Sequence, residues 1–503
     1  MDRTQTLMFH PTLDDMIGED HPARLFDEVL AACDWSSWEA HYELKVGQPA
    51  IHPRVVASAI LYGMSRGLRS SRALEWACVN NLDFLWLVWG RRIDHSTFCG
   101  FRRQFGAELK TLFKQVLRLA MSMGLARLNE VALDGTKVKA NSSRHARATA
   151  ETIERRLAML APEIERMFAE TESADGRQDD LYGEEVTPTR LPRELSSRLA
   201  RKERLEKALE VARQRGADAK VPVADPESTV LPNKEGGFAP NYTPMTLVES
   251  HGGFIVGTEV LADGDEAGAT VPMIDAVRED LDEKPERLLA DGAFGGGENL
   301  AQLAQREVES YIPLQHRKAP GQNAADRGDP TRPVAEADWE KLPRRAQTGK
   351  LDRSAFVYDA QADCYYCPMG RVLKLHQAKD PDGSHDAAYR VYRCGSCEGC
   401  GLSAECIAGE SGFRQVSRDV HEPLREEMDA RMNTDEGRAV YRRRLWASET
   451  PNAVLKELMK LRRFLLRSLE AVRVEWLWAA TAYNVWKLTR ELTRLRGAFA
   501  RSG

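Results

Sequence analysis

The sequence predicts a mixed α/β protein with several regions of different character. Three observations support this fold class: apolar residues at helical spacing over residues 20–125, short apolar runs interleaved with helices over residues 129–314, and six cysteines between Cys364 and Cys406. The chain has 503 residues, of which 42% are hydrophobic and 29% charged. This composition supplies a large core, excludes general disorder and suggests about three domains.

The charge balance excludes a globally basic, nucleic-acid-coating protein. The chain has 71 Lys and Arg against 76 Asp and Glu, a net charge of -5. Residues 437–499 are the local exception, with 14 Lys and Arg against 5 Glu, or +9. The longest apolar stretch is too short to span a bilayer, and the N-terminus lacks the features of a signal peptide. We therefore expect a cytoplasmic protein.

Residues 1–127 are predicted to form a helical DNA-binding domain. Their apolar spacing indicates several helices, and Asp94 or Ser96 is predicted to cap a short helix that carries Arg102 and Arg103. Short helices followed by a basic helix are typical of helix-turn-helix DNA readers. On this region alone, a helical bundle with a solvated last helix is the favoured interpretation.

Residues 128–315 alternate strand and helix patterns, which indicates an α/β sheet. A charge-rich segment at about 145–220 is predicted to be an inserted helical hairpin, with an acidic break at residues 172–185 between its helices. Further along, Gly252 and Gly253 are predicted to turn a β-hairpin.

Two apolar runs in this region end in an Asp-Gly pair, at Asp134 and at Asp291. Asp-Gly is a common turn signal on its own. In α/β sheets, however, ligands bind beyond the carboxyl ends of the strands, and two aspartates there are able to share divalent cations.

A third carboxylate is predicted on a basic C-terminal helix. Glu449 follows Tyr441 by eight residues and precedes Lys456 by seven, so all three fall near one helix face, and Arg444 lies between them. A carboxylate flanked by a phenol and an ammonium suits a site for metal and phosphate. A surface ion pair is the alternative.

Residues 316–415 are predicted to be a flexible linker, over 316–352, followed by a cysteine-rich zinc-binding insertion. The cysteines form the pairs Cys364-x₂-Cys367 and Cys394-x₂-Cys397, and the second pair continues to Cys400. Such spacing on glycine-bearing turns is typical of a structural zinc ribbon. A ribbon of generic type would use Cys364, Cys367, Cys397 and Cys400. A two-zinc cluster of six thiolates and an iron–sulfur site are the alternatives.

Taken together, these segments resemble the DDE transposases of bacterial insertion sequences, in particular the insertion sequence 1182 group with its InsH-like N-terminal domain. The segment ALDGTKVKANSS resembles the first catalytic block, LLADGAFGGGENL the second, and YRRRLWASETPNAVLK the third. Residues 1–127 resemble the helical N-terminal domain of that group, so the resemblance covers nearly the whole chain.

The resemblance implies an RNase H-like catalytic core, formed by residues 128–315 and 416–503, with the helical hairpin and the zinc ribbon as insertions. Asp134, Asp291 and Glu449 would be the catalytic, metal-binding triad for Mg²⁺ or Mn²⁺. Two such cations clamp the attacking and leaving oxygens of a phosphoryl transfer. The expected reaction is cleavage of DNA at terminal inverted repeats and strand transfer to target DNA, by a homodimer in the bacterial cytoplasm at the nucleoid.

The resemblance also assigns supporting roles. Tyr441, Arg444 and Lys456 would contact DNA, and Lys137 and Lys139 are able to neutralise its phosphates. The family pattern of zinc ligands is best matched by Cys367, Cys397, Cys400 and Cys406, with Cys364 and Cys394 as alternates.

The third block differs from the family pattern in two respects. Four residues separate Arg444 from Glu449 where related transposases have three, and Ser448 and Thr450 flank the glutamate where Val and Pro are common. A catalytically impaired or domesticated DNA-binding protein is therefore the alternative function. A nuclease or phosphatase on the same core is a second alternative, which the N-terminal domain and the cysteines disfavour.

Overall fold

A computed structural model describes residues 12–42, 50–182, 193–216, 218–233, 236–314, 323–381, 387–407 and 412–502. The helices are α1 (Pro22–Ala31), α2 (Ser36–Glu39), α3 (Pro53–Ser65), α4 (Ser71–Asn80), α5 (Leu82–Leu87), α6 (His95–Gln104), α7 (Gly106–Ser122), α8 (Ala150–Tyr182), α9 (Arg193–Arg215), α10 (Thr270–Leu281), α11 (Gly297–Gln305), α12 (Ser403–Cys406), α13 (Glu422–Met432), α14 (Asp435–Ala453) and α15 (Leu469–Ser502).

The strands fall into one large mixed sheet, one antiparallel sheet and one short pair. They are β1 (Glu130–Gly135), β2 (Val138–Lys139), β3 (Arg147–Ala148), β4 (Val221–Pro222), β5 (Thr229–Pro232), β6 (Phe238–Glu249), β7 (Ile255–Leu261), β8 (Arg287–Leu289), β9 (Glu309–Tyr311), β10 (Val357–Asp359), β11 (Cys364–Tyr366), β12 (Val372–Lys379), β13 (Tyr389–Cys394) and β14 (Gln415–Asp419). The mixed α/β class predicted from the sequence is confirmed.

The N-terminal helices α1 to α7 pack around the C-terminal helix α15. Their ends follow the local sequence: the Ser70 hydroxyl caps α4, and the Asp94 carboxylate caps α6 by accepting from the Ser96 amide. Trp476 and Trp478 on α15 are 1% and 0% exposed and join the N-terminal helices to the central sheet in one core. The N-terminal helices therefore share a core with the rest of the molecule.

In the large sheet, three antiparallel strands (β7, β6 and β1) are followed by two strands, β8 and β9, that run parallel to β1. β6 pairs antiparallel with both β1 and β7, whereas β1, β8 and β9 run parallel in that order. Val131, Ala132 and Leu133 are fully buried because the sheet is covered on both faces, which explains why β1 is a continuous apolar run. The start of β6 also pairs with the short strands β2 and β5.

The predicted hairpin at Gly252 and Gly253 is confirmed, between β6 and β7. Gly253 has a φ of 79°, a left-handed conformation that favours glycine. The Glu249 carboxylate accepts hydrogen bonds from the amides of His251, Gly252 and Phe254, and so satisfies the turn.

The charge-rich insertion is a pair of packed helices, α8 and α9, with their own apolar contacts around Ile153, Leu160 and Leu205. One detail differs from the sequence interpretation. The acidic break was predicted to begin at residue 172, but α8 continues through Gly176 to Tyr182. Glu, Ala, Arg and Gln are good helix formers, and one glycine costs only about 1 kcal/mol. The remainder of the predicted break, from residue 183 to 185, lies outside the described residues.

The cysteine-rich region is built on an antiparallel sheet of β10 to β14. The prediction of a flexible linker over residues 316–352 is wrong for its described part, 323–352. Ala325, Val334, Leu342 and Leu351 are buried there against the sheet. These apolar residues are spread singly among polar ones, so the sequence shows no periodicity that would indicate their burial.

The C-terminal helices return to the large sheet. α13 and α14 contact β9 and β1, and a π-helical turn over Val454–Leu458 follows α14. Within the described part of the chain, no helix is long and apolar enough to cross a membrane.

Candidate active site

Asp134 and Asp291 lie side by side at one edge of the sheet. Ala132 of β1 is the parallel partner of Leu289 of β8, so each aspartate stands two residues beyond this pair on adjacent strands. Both are partly exposed. The Asp291 carboxylate also accepts from the Ala293 amide, which begins a short helical turn. The parallel strands thus place the two predicted carboxylates together.

Helix α14 supplies polar groups to this edge. Arg444 donates from Nη2 to Asp134 Oδ1 at 3.0 Å and lies 3.9 Å from Asp291 Oδ2. Asn452 donates from Nδ2 to Asp134 Oδ2 at 2.9 Å. Tyr441 is half-buried on the same helix, and burial, together with the negative charge of Asp291, raises the pKa of its phenol. One arginine therefore offsets the charge of both aspartates.

Lys456 reaches the same edge from the π-helical turn. Its Nζ donates to the Thr136 hydroxyl, two residues beyond Asp134. The structure thus brings Tyr441, Arg444 and Lys456, which were predicted from their spacing, next to the two aspartates.

Glu449 lies on the flank of this helix face. At 100° per residue it is about 60° around α14 from Asn452 and about 140° from Arg444. Its side chain is exposed, whereas the described partners of Asp134 on α14 are Arg444 and Asn452. Its role as the third catalytic carboxylate stays a prediction.

Glu266 is a further carboxylate at the site that the sequence interpretation missed. It precedes α10, and burial raises its pKa, as do the negative charges of Asp291 and Asp134. A Cβ added to Gly135 would lie 2.4 Å from Glu266 Oε2, so the glycine after Asp134 permits the close approach of Glu266. The acidic run Asp263, Asp265 and Glu266 was the available signal, but such a run usually indicates a solvated loop.

The predicted DNA-contacting residues have different environments. Arg102 is 8% exposed and donates to the Arg69 carbonyl, and burial lowers its pKa to about 10. This burial does not fit the prediction of a DNA contact for Arg102. Arg103 is exposed on α6, and Lys137 and Lys139 are partly exposed beside Asp134. For these three residues the DNA contact stays a prediction.

Five of the six clustered cysteines line one apolar cavity of about 20 Å³, which has room for about one water-sized particle. The five are Cys367, Cys394, Cys397, Cys400 and Cys406. Cys364 is buried elsewhere on β11, opposite Lys374. Burial raises the pKa of Cys394 to about 11 and that of Cys406 to about 12.

The candidate ligand atoms are more widely spaced than in a closed metal site. Among the described residues, one group of three such atoms lies within 4.8 Å of one another, and it consists of Glu75, Asp94 and His95. His95 Nδ1 is 3.2 Å from Glu75 Oε2 on the surface of α4 and α6. Neither the carboxylates around Asp134 nor the sulfurs of the cysteine cavity include three ligand atoms that all lie within 4.8 Å of one another.

The sheet and its carboxylates define a mixed α/β protein with an acidic centre, formed by Asp134, Asp291 and Glu266, and two parts of the chain match known protein families. Residues 366–489 match the family described as a transposase DDE domain, and residues 11–104 match a transposase domain, DUF772. Both matches support a DDE transposase of an insertion sequence, which confirms the resemblance seen in the sequence. The insertion sequence 1182 group stays a prediction. No curated protein matches the chain.

Proposed function

We propose that the protein cleaves DNA at the terminal inverted repeats of an insertion sequence and joins the freed ends to target DNA. In the first step water attacks the phosphorus and the 3′-oxygen leaves as a hydroxyl. In the second step that 3′-hydroxyl attacks a target phosphodiester, whose own 3′-oxygen leaves. The transposase matches imply a DNA substrate and an enzyme of the nuclease or transposase type.

The observation that carries this proposal is the juxtaposition of Asp134, on β1, and Asp291, just beyond the end of the adjacent parallel strand β8. Three antiparallel strands followed by two parallel ones, in the order β7-β6-β1-β8-β9, also support an RNase H-like core. Within the domain boundaries predicted from the sequence, this core takes residues 128–315 and 416–503.

The donor set fits the divalent cations that the family implies. Asp134 and Asp291, with Glu449 or Glu266 as the third carboxylate, would hold Mg²⁺ or Mn²⁺, which prefer carboxylate oxygens. Bound there, the cations stabilise the charge that develops on the attacking and leaving oxygens.

The remaining side chains position the substrate in this proposal. Lys456 fixes the end of β1 through Thr136, and Tyr441 restricts access of water to Asp291 by its half-buried ring. Arg444 lies at the two aspartates, where its guanidinium would contact a DNA phosphate.

We also propose that the cysteine region holds a structural Zn²⁺. Thiols from separate turns that line one small apolar cavity support this assignment, and the family-pattern set of Cys367, Cys397, Cys400 and Cys406 lies wholly in the cavity wall. A homodimer on DNA is part of the proposal, because two element ends must be joined. We place this activity in the bacterial cytoplasm, at the nucleoid.

A plasmid that carries the gene with its native flanking DNA provides the test. Purified protein and Mg²⁺ should nick this DNA at the borders of the element, and EDTA should abolish nicking. Binding of the border DNA without nicking in Mg²⁺ or Mn²⁺ would contradict the proposal and favour a DNA-binding protein without catalysis.

A further inference from the structure

A basic cleft lies beside the acidic centre. It has a volume of about 670 Å³, and its cationic lining residues are Lys139, Arg144, Arg463 and Arg467. It continues into a smaller cavity of about 210 Å³ that is lined by Arg103 and shares Asn141 and Arg467 with it. The two together form a groove, the basic cleft, between the segment after β2 and the segment before α15.

No Asp or Glu residue lines either part of the basic cleft among the described residues. Another large cavity, of about 950 Å³ beside Gly292, has a different lining in which four arginines face six carboxylates. Since the chain as a whole has more acidic than basic residues, an acid-free cleft is a local exception. The lining residues contribute no negative charge, and the nearby carboxylate of Asp225, which interacts with Arg467, is buried behind the wall.

The arginines of the basic cleft are also without ion-pair partners. Within the described part of the chain, no carboxylate pairs with Arg103, Arg144, Arg463 or Arg467, and all four are exposed. Arg467 donates to the neutral Asn141 carbonyl. Their neighbours differ: Arg462 pairs with Glu457, and Arg473 with Glu259. Clustered like charges of this kind repel one another, and a bound polyanion relieves the repulsion.

Two further features of the wall point to a nucleic acid. Ser142 is only 9% exposed, lines the cleft and has a hydroxyl without a hydrogen-bond partner. Phe238 stands at the rim with 65% of its surface exposed. An exposed aromatic ring offers no favourable contact to a small anion such as inorganic phosphate. The sugars and bases of a nucleic acid, in contrast, have apolar faces that pack against such a ring.

The basic cleft is connected through the backbone to the strand that carries Asp134. Lys139 is five residues beyond Asp134, and its backbone amide donates to the Arg462 carbonyl while its carbonyl accepts from Phe464. These bonds join the cleft wall to the segment that follows Lys456, whose ammonium contacts Thr136. Backbone hydrogen bonds therefore link the cleft wall to the segment that contacts the end of β1.

We propose that the basic cleft binds the phosphodiester backbone of the DNA that enters the acidic centre. This inference rests on the proposed function for the fate of the DNA, but DNA binding in the cleft is a separate property. Arg144, Arg463 and Arg467 are the phosphate contacts, and Phe238 packs on a sugar or base.

The test compares the full-length protein with the triple variant R144Q/R463Q/R467Q in binding a fluorescein-labelled DNA duplex of about 30 base pairs. Each phosphate contact contributes about 0.9 to the salt dependence of log K, so the slope should fall by about 2.7, and affinity should fall at least tenfold at about 0.1 M salt. The double variant R144Q/R463Q, which leaves the Arg467 contact to Asn141 intact, should lose about 1.8 of slope.

A matched control removes the same charge elsewhere. The variant R155Q/R213Q/R332Q replaces three exposed, ion-paired arginines outside the cleft and should keep the wild-type slope. Equal slopes in the cleft and control variants, or a wild-type protein that does not bind the duplex, would overturn the inference. Wild-type binding that depends on the cleft, without nicking in Mg²⁺, would leave the cleft intact and contradict the proposed function instead.

Discussion

Arg444 bridges Asp134 and Asp291, with its Nη2 atom 3.0 Å from one carboxylate and 3.9 Å from the other. The guanidinium thus occupies the space between two strand ends where a divalent cation would be held. If the two aspartates hold a divalent cation, as proposed, the positive charge of Arg444 would oppose its binding. The spacing of Arg444 in the sequence does not reveal this contact with both aspartates.

We therefore expect the variant R444Q to bind Mn²⁺ more tightly than the wild type, by about tenfold in Kd, since a like charge within about 4 to 6 Å is removed. Isothermal titration calorimetry measures this. Arg442, which is exposed on the same helix and bonds to the Arg438 carbonyl, provides the control, and R442Q should leave the Kd unchanged. Weaker binding by R444Q would show that the arginine does not compete with the metal.

Glu266 should make stability depend on pH. Because its pKa is raised above 4.5 in the folded protein, chiefly by burial, its contribution to folding is present below pH 4.5 and is lost as pH rises through the raised value. The variant E266Q should therefore melt at a higher temperature than the wild type at pH 7 and at an equal temperature at pH 4, in thermal unfolding followed by circular dichroism. The exposed carboxylate of Glu457 is the control, and E457Q should not gain stability at pH 7. A lower melting temperature of E266Q at pH 7 contradicts this account.

The N-terminal helices are held to the rest of the molecule by a buried ion pair. Arg69 donates to Glu475 at 2.5 Å and to the carbonyls of Lys460 and Arg463. Removing one partner of a buried pair leaves an uncompensated charge and costs about 3 to 5 kcal/mol. We expect R69M to lower the urea midpoint strongly, whereas R473Q, which breaks an exposed pair with Glu259, should cost less than about 1 kcal/mol. Similar midpoints for both variants would show that the Arg69 pair is not a main tie.

The cysteine assignment has a direct chemical test. If Cys367, Cys397, Cys400 and Cys406 bind zinc, C406S should lose the metal and unfold its region, because structural zinc contributes folding energy. The double variant C364S/C394S should keep one zinc per chain by elemental analysis. Zinc that is retained by C406S and lost from the double variant would reverse the assignment, and bound iron would exclude zinc.

Much of the fold could be predicted from local pattern. The apolar run before Asp134 indicated a strand covered on both faces, and β1 is such a strand because α14 and the opposite layer bury it. The pair Gly252 and Gly253 indicated a hairpin, since only a residue that tolerates positive φ fits there. These predictions succeeded because each depends on residues that are neighbours in the chain.

The parts that were missed depend on distant neighbours. Glu266 lies in a polar loop without periodicity, and only the packing of α10 against β7 brings it beside Gly135. Arg102 and Arg103 are adjacent residues of the same type, yet Arg102 contacts Arg69 in the interior and Arg103 is exposed to solvent. The helical periodicity of the sequence does not reveal which face of a basic helix is buried.

Comparing E449Q with E266Q in the nicking assay identifies which glutamate is the third metal-binding carboxylate. We expect E449Q to be inactive, as the family pattern of the third block predicts. Wild-type activity of E449Q together with loss of activity in E266Q would transfer the role to Glu266.

If Asp134 and Asp291 form a metal-dependent DNA-cleaving centre, nicking must depend on both carboxylates while DNA binding does not. Border DNA is incubated with Mg²⁺ and the wild type, D134N, D291N or the exposed control D435N, and nicking and binding are measured on the same samples. We predict that D134N and D291N lose nicking by at least about a thousandfold while they bind DNA within about threefold of the wild type, because affinity depends on phosphate contacts elsewhere, and that D435N behaves like the wild type. Nicking at the wild-type rate by D134N or D291N would contradict the account.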